Sequence, residues 1–281
     1  MITFSILLPA YKATYLRECI DSIIAQTYTH WELIIINDAS PEPIDSIVST
    51  YHDTRIHYYV NETNIGGKNL VTQWNLCLSK ANGHYCICIG DDDKLTPACL
   101  ATYAKYIEKY PFADILHGQT NIIDEQGEFV RHTPTRPEWE SAMSLLYHRT
   151  YNYKHQFIGD FCHACQSLKA RGGFYALPLA WGSDDISAII AAQKEGIVNT
   201  HEVVFLYRIH RNTISKQSHT WPKLRAILLE AKWKWNFLRN KQNNQQDEHY
   251  RLVLRKGLVR HTLKKMFYVL HHALYTKRKN E

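Results

Sequence analysis

Long apolar runs are missing from the start of this chain. In MITFSILLPAYKATY the apolar stretch lasts about seven residues and stops at Pro9, far short of the roughly 20 that a helix needs to cross a bilayer. No basic leader and no cleavage site of the signal-peptide type accompany it, so a cytoplasmic setting is expected. Cysteine is sparse and unpaired in pattern: the seven are an odd, scattered set, which without a secretory signal reads as reduced thiols rather than a disulfide framework. Cys162 and Cys165 form one CxxC, but no second pair stands at zinc-finger spacing, which argues against a structural zinc. Low-complexity segments and internal repeats are also lacking. The chain has 281 residues, 45% hydrophobic and 21% charged, ordinary values for one large domain or a domain with an appendage.

Acid is scarce in the C-terminal part. From Trp221 to Glu281 there are 15 Lys and Arg against 4 Asp and Glu, whereas the chain as a whole carries only +6. The first 220 residues are therefore mildly acidic and the tail strongly basic. That asymmetry predicts a boundary near Trp221–Pro222 and an anionic neighbour for the tail.

What is present is an alternation of strand and helix patterns. Residues 3–8 (TFSILL), 31–37 (WELIIIN), 55–60 (RIHYYV), 84–89 (HYCICI) and 114–118 (DILHG) read as strands. Between them, 14–26, 41–51, the stretch from NETNIGG to about Ala81, and 96–109 read as helices, the last with Pro97 in its first turn. This order predicts an α/β fold, a mostly parallel Rossmann-like sheet with helices on both faces. Ligands then bind beyond the carboxyl ends of the strands. The polar clusters obey that rule: Pro9-Ala10-Tyr11, Asn37-Asp38-Ala39-Ser40, Asn61 to Gly67, and Asp91-Asp92-Asp93 each follow a strand. Two further helices, 222–240 and 250–275, are expected in the tail, joined by KQNNQQDEH. In the second, Val259, Leu263, Met266/Phe267, Leu270 and Leu274 form an apolar stripe beside Lys256, Arg260 and Lys264. The stripe suits an anionic membrane surface, or it packs back on the domain.

PAYKATYLRECIDSIIAQTY (9–28), NDAS (37–40), Asn64-Ile65-Gly66 and ANGHYCICIGDDDKLTP (81–97) occur in an order that resembles the family 2 glycosyltransferases of GT-A fold. The resemblance is strong over about residues 1–120 and weaker over 121–215. It implies a catalytic domain at 1–220, with a nucleotide-sugar-binding half (about 1–118) and an acceptor half (about 119–220), followed by a basic amphipathic helical extension at 221–281. It implies an inverting transferase that moves one sugar from a nucleotide-diphosphate donor, UDP-linked by expectation, to a saccharide or lipid-linked saccharide in cell-surface polysaccharide synthesis.

The resemblance also distributes roles. Pro9, Tyr11, Asp38, Asn64, Lys68 and Asp91 fall on the nucleotide-sugar side. The family usually shows D-x-D-D before L-x-P; aligned on Leu95 and Pro97, this chain has Gly90 at the first Asp. Asp92 is then the primary ligand of a Mn²⁺ or Mg²⁺ ion and Asp93 a second ligand, unless residues 91–93 themselves act as the D-x-D. A hard cation of this kind takes oxygen ligands and offsets the charge that grows on a departing diphosphate. VVFLYRIHRNTIS (203–215) resembles a strand whose His completes the metal site, which points to His210, with Arg208, Arg211 and Ser215 near the diphosphate. In WGSDDISAIIAAQKEG (181–196), Asp185 matches the family's general base and Asp184 replaces its Glu. Ser183, Asp184 and Asp185 also suit a helix N-terminus. Trp181 and Asp184 are expected on the acceptor side, and His163 by location alone.

Other readings predict different things. A sugar-phosphate nucleotidyltransferase would carry a Gly-rich loop after the first strand, which PAYKATY lacks. A nucleic-acid binder would use the basic tail, but carboxylates at the sheet edge repel phosphates, so no nucleic acid is expected. An inactive sugar-nucleotide binder of the same fold would bind donor without turnover.

Overall fold

The computed structural model describes residues 1–152, 155–210 and 220–280. Its centre is a sheet whose strands alternate inside and out, and each face finds its own helices. The first four strands are β1 (Phe4–Ala10), β2 (Trp31–Asn37), β3 (Ile56–Val60) and β4 (Tyr85–Cys88). They run parallel in the order β3-β2-β1-β4. Phe4, Ile6, Leu8, Leu33 and Ile35 point to one face and pack on α1 (Leu16–Ile24) and α4 (Cys99–Lys109). Leu7, Ile34, Ile36, Cys86 and Cys88 point to the other and meet Val71, Trp74 and Cys77 of α3 (Gly66–Lys80). Both faces are covered, which is why these strands read as continuous apolar runs rather than alternating ones.

The sheet continues through β9 (Phe161–Ala164), β6 (Ile115–Ile123) and β10 (Ile197–Arg208). β9 is antiparallel to both β4 and β6, and β10 is parallel to β6. Thus β10 ends at the same edge as β1 to β4. The two-residue β5 (Lys94–Leu95) pairs antiparallel with Phe205 and Leu206, which brings the chain back from the aspartate triplet to the end of β10. Short strands β7 (Phe129–His132) and β8 (Trp139–Glu140) pair with β6 and β10.

A third core lies beyond β6. It gathers Leu145 and Leu146 of α5 (Ala142–Tyr151), Ala188 and Ile189 of α7 (Ser183–Ala191), and Leu238 and Leu254 from the C-terminal part. α6 (Cys165–Ala170) closes the α3 face. The tail is two helices, α8 (Thr220–Phe237) and α9 (Gln245–Asn280). They dock on α5 and on each other.

Three boundaries differ from the expectation. The helix expected over 41–51 is only α2 (Ile44–Val48). The Ser49 and Thr50 hydroxyls donate back to the carbonyls of Ser46 and Ile47 and compete with helix continuation. β6 runs five residues past 118, paired along its length with β10. In the tail, much of the expected linker is helix. Asn244 Oδ1 accepts from the N–H groups of Gln246 and Asp247, at 2.8 and 3.2 Å, and so caps α9. Asp247 and Glu248 sit in the first turn, where the helix dipole favours acids.

Candidate active site

The adjacent aspartates tolerate one another because their carboxylates point to three different partners. Asp91 Oδ2 accepts from the backbone N–H groups of Tyr11 and Lys12, both at 2.7 Å, and fastens the triplet to the loop after β1. Asp93 is buried and its Oδ1 accepts from the Arg208 backbone N–H at 2.9 Å, fastening it to the end of β10. Asp92 Oδ2 meets His210 Nε2 at 2.7 Å, with about a quarter of the Asp92 side chain open to solvent. Burial, with the charge of Asp92 next in size, pushes the Asp91 carboxyl up to about 6. The same two causes push Asp93 well above the usual carboxylate range. Gly90 leaves the room this needs: a Cβ there would lie 2.8 Å from Asp92 Oδ1 and 3.2 Å from Asp93 Oδ2.

Arg208 props this cluster from beneath. Its side chain is fully buried. Nε donates to the Asp92 carbonyl at 2.9 Å and Nη2 to Glu18 Oε2 at 2.7 Å, while the guanidinium lies 4.1 Å over the Tyr15 ring. The other side of the Tyr15 environment is His210, ring to ring at 5.6 Å. Arg208, expected near the diphosphate, is a buried strut instead. Arg211 and Ser215 lie outside the described residues.

On the nucleotide side, Tyr11 is exposed, with 41% of its surface accessible, at the carboxyl end of β1. Pro9 is partly buried within β1, in register with Ile36. Asp38 is almost fully buried and its carboxylate builds the next loop. Oδ1 accepts from the Ile65 N–H and from Asn61 Nδ2, at 2.8 and 2.7 Å, and Oδ2 accepts from the Gly66 N–H at 2.6 Å. Asn64 donates from Nδ2 to the Asp38 carbonyl and accepts the Gly67 N–H. Both residues thus form the loop beside Tyr11. The side chain of Lys68 lies outside the description.

A second cluster stands at the start of α7. Gly182, at φ +86°, makes the turn that any other residue would resist. The Ser183 hydroxyl accepts from the Leu177 N–H rather than capping the helix, in contrast to the expectation. Asp185 is buried: Oδ1 accepts from Arg149 Nε at 2.9 Å and from Gln156 Nε2 at 2.6 Å. Burial alone would raise its carboxyl, but Arg149 outweighs burial and holds it below the usual range. Asp184 is half-buried, and burial plus the charge of Asp185 lifts it up to about 7. Trp181 is partly buried, with Lys223 Nζ 4.7 Å above its ring. Trp181, Arg149 and Asp185 line a cavity of about 320 Å³ between the domain and helices α8 and α9. His163 lies inside β9 against Phe174, and burial, aided by Arg171, takes it down to about 3. It is a core histidine and does not reach the acceptor side.

The structure therefore brings Tyr11, Asp91, Asp92, Asp93 and His210 together, and gathers Trp181, Asp184 and Asp185 around Arg149. Sequence reasoning missed Tyr15, Glu18, Arg149 and Gln156. Tyr15 and Glu18 stood inside the motif of residues 9–28. Arg149 and Gln156 lie in a stretch with no motif to point to them.

Comparison with known proteins places this geometry. A model of the family described as Glycosyl transferase family 2 matches residues 5–171. The chain belongs to this family. The glycosyltransferase is 26% identical over 243 residues to the putative teichuronic acid biosynthesis glycosyltransferase TuaG of Bacillus subtilis, covering 82% of this chain and 91% of TuaG. Among solved structures it resembles S. aureus TarS 1-349 in complex with UDP-GlcNAc, with a TM-score of 0.70 at 17% identity over 95% of this chain and 73% of that one. It also resembles the mannosyltransferase PcManGT from Pyrobaculum calidifontis in complex with GDP-Man and Mn²⁺, with a TM-score of 0.61 at 15% identity over 96% of this chain and 74% of that one. The fold of this glycosyltransferase is thus GT-A.

A divalent cation finds a fitting, if small, donor set. Asp92 and His210 converge, and Asp93 is the adjacent residue. Among the described residues no group of three His, Cys, Asp or Glu is placed to enclose an ion. A hard cation held by one or two protein ligands normally completes its shell with phosphate oxygens and water, so the pair suits an ion that arrives with a diphosphate.

Proposed function

We propose that this glycosyltransferase moves a single sugar, with inversion, from a UDP-sugar to a saccharide acceptor carried on a lipid, in polysaccharide synthesis at the cytoplasmic face of a membrane. The observation that carries the reading is the Asp92–His210 contact at the carboxyl edge of the sheet. Tyr11 offers an exposed aromatic face on the same edge for the base, and Asp91 holds the Tyr11 loop to the triplet. TuaG's name supports polysaccharide synthesis, the sugar nucleotides bound to TarS and PcManGT support a nucleotide-sugar donor, and the UDP-GlcNAc of TarS supports its UDP form. Asp92 and His210, with Asp93 behind them, would hold Mn²⁺ or Mg²⁺, which when bound offsets the charge developing on the leaving diphosphate.

The acceptor hydroxyl gives up its proton to the acidic pair at the start of α7. The family resemblance puts this role on Asp185. A second reading is favoured by the contacts of the pair. Asp185 is tied to Arg149 and Gln156, whereas Asp184 is only partly buried and lifted toward neutrality, the range in which a general base works best. On that reading Asp185 positions the helix start and Asp184 takes the proton.

The test is a thermal-shift panel of UDP-, GDP-, dTDP- and CMP-sugars with and without Mn²⁺, followed by transfer assays on the best donor. UDP-sugars are expected to raise Tm, and to raise it further with the cation. Stabilisation by another nucleotide class alone overturns the donor assignment, and binding without any transfer to lipid-linked saccharides overturns the enzymatic one.

A further inference from the structure

Helix α9 has large apolar side chains on two opposite sides. Leu254 and Val269 are buried against the domain and α8. Leu252, Val259, Leu263, Phe267 and Leu270 are exposed, with Val259 at 67% and Phe267 at 69%. On a helical projection these five fall within one sector of about 80°, roughly opposite Leu254 and about 110° from Val269, given about 100° per residue. They run along roughly 27 Å of helix at 1.5 Å per residue. Lys256 lies within the row, Arg260 and Lys264 flank it on one side and Arg255 on the other, all exposed. Between His249 and Asn280 the sequence contains no Asp or Glu at all. An exposed apolar ridge of this length is unusual for a helix already anchored by its other face.

We infer that this outward face of α9 is a docking surface for an anionic lipid bilayer. The inference deepens the proposed use of a lipid-linked acceptor, and it names the surface that brings the enzyme to it. Charge decides between the occupants. A second copy of the chain would set one basic row against another with no acid on either face to pair with it, which opposes association. A bilayer containing anionic lipid meets the same face with negative headgroups for Arg255, Lys256, Arg260 and Lys264, and with acyl chains for the ridge. No helix among the described residues is long and apolar enough to cross a membrane, so the contact is a surface one. Lys264 and Tyr268 also line the cavity that Asp185 and Trp181 share. Docking by the ridge therefore leaves that cavity on the far side of α9, one helix diameter (~10 Å) from the headgroup layer.

The experiment is sedimentation of the full chain with vesicles of phosphatidylcholine, with and without phosphatidylglycerol. The protein is expected to pellet with the anionic vesicles only and to be released progressively by salt. Leu263→Glu/Phe267→Glu and, separately, Lys256→Glu/Arg260→Glu are each expected to weaken vesicle binding more than tenfold while leaving Tm within about a degree. A wild-type chain that stays in the supernatant with anionic vesicles overturns the inference. So does equal pelleting of wild type and variants. A wild-type dimer dissolved by Leu263→Glu/Phe267→Glu overturns it in favour of a second copy. UDP-sugar stabilisation, measured without vesicles, is independent of all these outcomes. If it persists while vesicle binding fails, only the surface assignment falls.

Discussion

The backbone N–H of Arg208 donates to the Asp93 carboxylate at 2.9 Å, joining positions 115 residues apart. That bond is half of a two-ended suspension, since Asp91 is held by the Tyr11 and Lys12 N–H groups at the other end. Between the two anchors only Asp92 is left to face a partner across the edge, His210. The crowding of carboxylates at the end of β4 therefore has a structural solution. Two of the three acids locate the third.

The strut beneath the triplet is expected to matter for both fold and ligand. Arg208→Ala removes the cation buried over Tyr15, leaves the Asp92 carbonyl without its Nε donor, and leaves Glu18 with Lys94 alone, at 3.4 Å. A loss of about 3 kcal/mol is expected from emptying a fully buried side-chain site and unpairing the Asp92 carbonyl, or roughly 6–12 °C in Tm. Arg208→Lys keeps the charge but loses the fork and should fall between. Thermal unfolding of the two variants checks this; an unchanged Tm for Arg208→Ala would show that the strut bears no weight.

Asp92 and His210 predict a cation effect that can be separated from donor binding. In Asp92→Ala and in His210→Ala, UDP should still raise Tm through the Tyr11 side. The additional rise produced by Mn²⁺ should disappear in Asp92→Ala and shrink in His210→Ala. Titration calorimetry of UDP with and without Mn²⁺ reads the same difference. Undiminished Mn²⁺ enhancement in Asp92→Ala would remove this residue from the metal site.

Much of this was legible in the sequence, and for identifiable reasons. β1, β2 and β4 are apolar on both faces because helices cover both, so their runs were unmistakable. The residues after them were visible as one edge because parallel strands share a direction. The contacts of Asp38 and Arg208 were not legible. Whether a polar side chain faces a ligand or a backbone N–H depends on where a distant loop returns, here Ile65-Gly66 for Asp38 and β5 for Arg208. The pairing of Arg149 with Asp185 spans 36 positions through a segment with no periodic signal. The two exposures of α9 were equally hidden, since a stripe in sequence does not say which side the domain takes.

The acidic pair can be split by its pH dependence. A base must be deprotonated to act, so activity rises with pH through its own titration. If Asp184 takes the proton, kcat/KM should climb to a plateau around its value of about 7. Asp184→Asn should then abolish transfer. If Asp185 does so, its hold by Arg149 keeps it ionised well below neutrality, and the profile should be flat from pH 5 to 8 by the ordinary carboxylate range. In that case Asp185→Asn removes transfer while Asp184→Asn retains most of it. Donor-induced thermal shifts of both variants confirm that the fold and donor site survive.

The attachment of the C-terminal helices should carry a measurable acid signature. Glu230 on α8 is almost fully buried and serves two cations, Lys234 Nζ at 2.6 Å on its own helix and Lys265 Nζ at 2.9 Å on α9. Burial would raise its carboxyl, yet Lys234 and Lys265 together outweigh burial and bring it down to about 2. A carboxyl depressed on folding stabilises the protein fully above its unfolded value of about 4.3 and loses that contribution as pH falls toward its folded value. Glu230→Gln leaves both ammoniums without this carboxylate, that of Lys234 mostly shielded from solvent, at a cost of about 3 kcal/mol at neutral pH. The gap in urea-unfolding stability between wild type and this variant should therefore be widest near pH 7. It should narrow as the pH falls through 4 and close near 2, where the wild-type carboxyl is itself protonated. Trp233, stacked on Phe237 one turn further along α8, supplies a fluorescence reporter for the same helix. A gap that stays constant over this range would mean that Glu230 holds α9 by packing rather than by charge.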